Sequence, residues 1–132
     1  MDSIAICRSC PRDTPLSGAC GAELREAVRA ELRNHGIEVL MVHCLGNCRV
    51  PCSVALDSPR KCRIRLSGID IQDAGDLIET AVAYARSKYG VADDGEFASA
   101  LQSKISAISP KPSITANVEL AISSFRNNIR SV

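Results

Sequence analysis

Seven cysteines fall between residues 7 and 62 of this chain: Cys7, Cys10, Cys20, Cys44, Cys48, Cys52 and Cys62. Six of them form two groups, Cys7-x2-Cys10 followed by Cys20, and Cys44-x3-Cys48-x3-Cys52. Thiolates are soft donors, and four that converge from two loops suit one iron–sulfur cluster or one tetrahedral zinc ion. A C-x2-C pair alone also suits thiol–disulfide exchange, which makes Cys7 and Cys10 a candidate redox pair. Seven is odd, so complete internal pairing is excluded. The cysteine share also lies below the roughly 8–10% of disulfide scaffolds. Cys62 alternates with Ile64 and Leu66 and reads as a small buried apolar residue. Cys52 stays open between core residue, spare ligand and thiol donor. His43 reads as a strand-end residue and His35 as a helix-end residue.

These thiols need elements to position them. Ser3 to Ile6 is a short apolar run ending at Cys7, a first strand, and residues 8–18 hold two prolines and a glycine and read as loop. From about Cys20, Leu24, Ala27, Val28 and Leu32 recur at helical spacing, and Asn34-His35-Gly36 supplies a stop. Ile37 to Val42 is nearly continuous apolar sequence, the mark of a buried strand, and runs into Cys44. Ser53 to Leu56 reads as a third strand. Cys62 to Leu66 alternates apolar with basic residues and reads as a half-exposed edge strand. Asp70 or Ser67 caps a second helix from about Ile71 to Tyr89, with its stripe at Ala74, Leu77, Ile78, Ala81 and Ala85 and a stop at Gly90. The order β-α-β-β-β-α predicts a thioredoxin-like α/β domain with a four-stranded mixed sheet over residues 1–90. If the first two strands are parallel neighbours, both cysteine groups open on the same end of the sheet.

Residues 91–132 are expected to form a helical C-terminal extension. One stripe runs through Phe97, Leu101, Ile105 and Ile108, and a second through Val118, Ala121, Ile122, Phe125 and Ile129, with Pro110 and Pro112 between them. Their apolar faces are expected to pack on the domain or on a second copy of it, as in a homodimer.

Two cysteine segments resemble the thioredoxin-like [2Fe-2S] ferredoxins and the related cluster-bearing small subunit of NADH dehydrogenase. One is Cys7 and Cys20 across a long loop, the second lying in Gly18-Ala19-Cys20-Gly21 at a helix start. The other is Cys44-Leu45-Gly46-Asn47-Cys48 with Pro51 behind it. The resemblance implies a [2Fe-2S] cluster on Cys7, Cys20, Cys44 and Cys48, with Cys10 in reserve for the fourth position. The chain is also similar to a bacterial family of metal-binding proteins of this fold, matched by Cys7/Cys10, by Cys44/Cys48/Cys52 and by the stretch from Phe97 to Pro110. Val50-Pro51 stands where the ferredoxins carry a Gly-Pro pair, one residue early, and Cys62 stands where an aromatic is usual.

The rest of the composition narrows the function. Sixteen Lys and Arg against fifteen Asp and Glu give a net charge of +1, and four Phe and Tyr with no Trp leave few stacking platforms. Neither nucleic acid nor an anionic membrane is an expected partner. The chain shows no long apolar run, and its first residues lack a basic region followed by an apolar stretch, so a reducing cytoplasm is the expected location. No Ser-His-Asp set, phosphate loop or paired carboxylates is evident, so no enzyme is expected. An oxidised cluster on four thiolates carries −2, giving +1 − 2 = −1 for the loaded protein. Arg8, Arg12, Arg49, Arg60, Lys61, Arg63 and Arg65 are expected near it, to raise its potential or to dock an acidic redox partner. The reading is a one-electron carrier or redox sensor. Zinc or another thiophilic ion on the same cysteines, and a thiol–disulfide protein using Cys7 and Cys10, are the alternatives.

Overall fold

The computed structural model describes residues 2–7, 19–42, 52–90 and 99–109. Five strands form one mixed sheet: β1 (Ser3–Cys7), β2 (Glu38–Val42), β3 (Val54–Asp57), β4 (Arg63–Leu66) and β5 (Ile105–Ser109), in the order β2-β1-β3-β4-β5. The helices are α1 (Ala19–Asn34), α2 (Ala74–Arg86), entered through a 3-10 turn at Ile71–Asp73, and the short α3 (Ser99–Gln102). The chain crosses from β1 to its parallel neighbour β2 through α1, the strand–helix–strand unit that the sequence predicts. β3 lies antiparallel to β1, β4 to β3 and β5 to β4.

Local sequence accounts for the boundaries. Leu24, Val28 and Leu32 recur every four residues on α1 and are fully covered, whereas Ala27 is exposed. At its end the Gly36 N–H donates to the Arg33 carbonyl and the Ile37 N–H to the Leu32 carbonyl. Gly36 adopts φ 72° there, which makes the turn a Schellman stop. On α2, Leu77, Ala81 and Tyr84 are buried, and α1 and α2 pack against each other. The Asp70 N–H donates to Asp73 Oδ2 at 2.9 Å at the entry to that helix. Both faces of β1 and β3 are covered, since Ile4, Ala5, Ile6, Cys7, Val54, Ala55 and Leu56 are all buried.

Three expectations need correction. Among the described strands β2 lies at the edge rather than buried, with Glu38 and Leu40 exposed, because its one described neighbour is β1. β4 is interior rather than an edge, because β5 lies along its outer side. Among the described residues the sheet therefore has five strands instead of four and continues past Gly90. The helix expected through Ile105 and Ile108 is the strand β5, and a bulge explains the misreading. Ile108 stands opposite Ile64 and Ile105 opposite Leu66, with a register shift between Arg65 and Leu66. One extra residue on β5 lets apolar side chains three apart face β4 side chains two apart. The Ser106 hydroxyl donates to the Arg65 carbonyl at 3.1 Å. The second stripe, from Val118 to Ile129, lies outside the described residues.

Candidate metal centre

β1 and β2 run parallel in register from Ser3 opposite Glu38 to Cys7 opposite Val42. Both strands finish at the same end of the sheet, side by side. The chain leaves Cys7 toward Cys10 and leaves Val42 toward Cys44, two residues on. Cys10, Cys44 and Cys48 lie outside the described residues, as do His43, Arg8, Arg12 and Arg49.

Cys7 is fully buried. Its N–H donates to the Ser53 carbonyl at 3.0 Å, which continues the β1–β3 pairing past the strand end. Its carbonyl is approached from two sides. The Cys52 thiol, itself buried, points at it from 4.0 Å, a weak S–H contact. Gly21, in the first turn of α1, lies so close that a Cβ there would overlap the Cys7 carbonyl oxygen and crowd Ile6. Only glycine lets the helix start press onto the end of β1. Cys20 precedes it on that first turn, half-buried, at the positive end of the helix dipole. No acidic residue stands in that turn to offset the positive end.

Cys52 belongs to the same end, because it enters β3 where β1 leaves. Its backbone exchanges hydrogen bonds with Ile69, at 3.3 Å from its N–H and 3.1 Å to its carbonyl. Cys62 does not belong there. It precedes β4 at the opposite end, buried, with its N–H donating to the Tyr89 carbonyl at 2.7 Å and its carbonyl accepting from the Tyr84 hydroxyl at 2.7 Å. Burial is the main cause that pushes the Tyr84 phenol far above its ordinary range, with Asp57 and Asp2 adding to it. Three of the expected basic residues also sit at this far end. Lys61 binds Asp2 at 2.8 Å and the α2 carbonyls of Tyr84 and Ala85, and Arg63 approaches Asp57 at 3.5 Å. Arg60 is exposed beside them. They are remote from Cys7 because β4 starts at the level of Ser3, not of Cys7.

Among the described residues no three His, Cys, Asp or Glu side chains are grouped as a metal site. Cys7 and Cys20, two soft thiol donors of the kind a thiolate-bound group takes, are held at one end of the sheet by the Gly21 contact, and β2 ends there two residues before Cys44 in the chain.

The family described as "Protein of unknown function (DUF1636)" matches residues 4–111. The chain belongs to that family. No curated protein matches it in sequence. In structure, this DUF1636 member is similar to a thioredoxin-like [2Fe-2S] ferredoxin from Aquifex aeolicus, with a TM-score of 0.56 and 10% identity. The likeness covers 85% of this chain and 96% of the ferredoxin. At that identity it establishes the fold, which is thioredoxin-like as the sequence predicts. No helix among the described residues is long and apolar enough to cross a membrane.

Proposed function

We propose that this protein holds one [2Fe-2S] cluster on Cys7, Cys20, Cys44 and Cys48 and serves as a one-electron carrier or redox sensor. It has no substrate chemistry of its own and meets a redox partner protein in a reducing cytoplasm. The observation that carries this reading is the β1–β2 register, Cys7 opposite Val42, with Gly21 seating the Cys20 turn against Cys7. A ferredoxin of the same fold adds support. When bound, the cluster supplies reversible one-electron chemistry, tuned by burial and by hydrogen bonds to its sulfurs. The chain's own residues fix the geometry. Ser53 and Gly21 hold the Cys7 backbone from two sides. The covered surroundings of Cys7 keep water from that end of β1.

Anaerobic purification with a visible spectrum and analysis for iron, sulfide and zinc tests the reading. We expect a brown protein with about two iron and two sulfide per chain, bleached by dithionite. A colourless protein with about one zinc would replace the cluster by a tetrahedral ion on the same cysteines. Metal-free thiol–disulfide activity lost in Cys7→Ser would favour the redox-pair alternative. Loss of the cluster in Cys10→Ser but not in Cys20→Ser would move the fourth ligand to Cys10.

A further inference from the structure

α1 and the start of β2 enclose a cleft of about 360 Å3 that takes no part in the cysteine site. Arg25, Arg29 and Arg33 line its helix side, and Glu38 and Val39 are among the residues on its strand side. Three arginines thus line the cleft against one acidic residue. Glu26 approaches Arg25 at 3.4 Å and Arg29 at 3.7 Å, but these side chains are 38–63% exposed. Exposed pairs of this kind are worth about 0.2–1 kcal/mol and yield readily to a better-placed anion.

The strand side is a sheet edge. The Glu38 N–H donates to the Asp2 carbonyl, so the Glu38 backbone faces β1. Strand alternation then turns the N–H and C=O groups of Val39 and Met41 outward. No other described strand lies beyond β2. The spacing of the two sides agrees. Residues four apart on a helix rise about 6 Å along its axis, and alternate residues of an extended chain about 6.6 Å. A strand laid along β2 therefore brings every second side chain opposite successive arginines.

We propose that this groove docks an extended segment of another protein with Asp or Glu at alternate positions, which adds to the sheet as a strand beside β2. Charge argues against the chain's own tail as occupant, because residues 110–132 carry Lys111, Arg126 and Arg130 against Glu119. A nucleic-acid strand finds no aromatic in the cleft on which to stack a base. The groove starts at the level of Ser3, four residues from Cys7.

The test is fluorescence anisotropy at low salt with the full-length chain and a labelled ten-residue probe alternating glutamate and threonine. We expect saturable binding, weakened at least about tenfold when glutamine replaces glutamate and again in the R25Q/R29Q/R33Q variant. Two further probes carry N-methyl groups on alternate amides, one on the odd set and one on the even. One of the two is expected to lose binding and the other to keep it, because one set of amides faces β2. Several results would overturn the proposal: no saturable binding, equal binding of both methylated probes, or a thymidine oligonucleotide binding as tightly. A dimer of the wild-type chain that the triple variant dissolves would also overturn it, by making the occupant a second copy.

Discussion

At the end of the sheet where β1 and β2 finish, the Cys52 thiol and Gly21 both approach the Cys7 carbonyl, and Cys20 stands next to Gly21 in the first turn of α1. At the other end, Cys62 sits among Tyr84, Tyr89 and Gly90. Both Cys7 and Cys62 are fully buried and both are bonded through their backbones. The difference lies in what surrounds them. Cys7 stands at a strand exit, beside a second exit that leads to three more cysteines. The Cys62 neighbours are a phenol, whose hydroxyl takes up the Cys62 carbonyl, and a glycine turn. Burial and residue type therefore do not distinguish Cys7 from Cys62, whereas the topology around each does.

Four substitutions sharpen that comparison. Gly21→Ala is expected to do the most damage, because the added Cβ meets backbone that cannot move aside. It should cost about 3 kcal/mol in denaturant unfolding and lower the iron bound after anaerobic preparation. Gly90→Ala strains the far end instead. Gly90 has φ 85°, and a Cβ there would lie 2.6 Å from the Tyr84 ring. The expected loss is about 1–3 kcal/mol with iron content unchanged per folded chain. Equal iron loss in both variants would erase the distinction between the ends.

Tyr84→Phe removes the hydroxyl that bonds the Cys62 carbonyl and should cost about 1–2 kcal/mol. The visible spectrum should not change. Lys104→Met has the smallest effect. Lys104 binds Asp73 at 2.6 Å and the Gly68 carbonyl at 2.9 Å, pinning the turn before β5. Burial works to raise the Asp73 carboxyl, but the Asp70 N–H and Lys104 outweigh it and hold the carboxyl below its usual value of 3.8. A lowered folded-state value stabilises above the unfolded-state value and is lost as pH falls through the folded one. Wild type should therefore lose this contribution below about pH 4. The variant should be about 0.5–1 kcal/mol less stable at pH 7, and the gap should narrow in strong acid to what the Gly68 bond contributes, read from urea unfolding at both pH values.

Much of the fold is legible in the sequence because its signals are local. The Leu24, Val28 and Leu32 stripe and the Gly36 stop specify α1, and short apolar runs specify β1 and β3. The misread elements depend on neighbours. Ile37 to Val42 is apolar enough for a buried strand, yet nothing in that segment says that β1 is its single described neighbour. The alternation of β4 reads as an edge because the strand that covers it lies some forty residues on. In β5 the apolar spacing is helical, and only the bulge against Arg65 and Leu66 makes it serve a strand. At the site, the convergence of the β1 and β2 exits follows from the strand–helix–strand pattern. The contact between Gly21 and the Cys7 carbonyl has a sequence signal only in hindsight, a glycine inside the first turn of a helix. The far-end placement of Lys61 and Arg63 follows from strand direction, which charge counting along the chain does not capture.

The most direct measurement compares Cys7→Ser with Cys62→Ser, both purified anaerobically, by iron and sulfide analysis and by electron paramagnetic resonance of the dithionite-reduced proteins. Cys62→Ser is expected to keep about two iron per chain and an unshifted signal, and Cys7→Ser to lose the metal or to bind it with an altered signal. Iron retained unchanged in Cys7→Ser, or lost in a folded Cys62→Ser, would contradict the assignment of the metal centre to the end of the sheet where β1 and β2 finish.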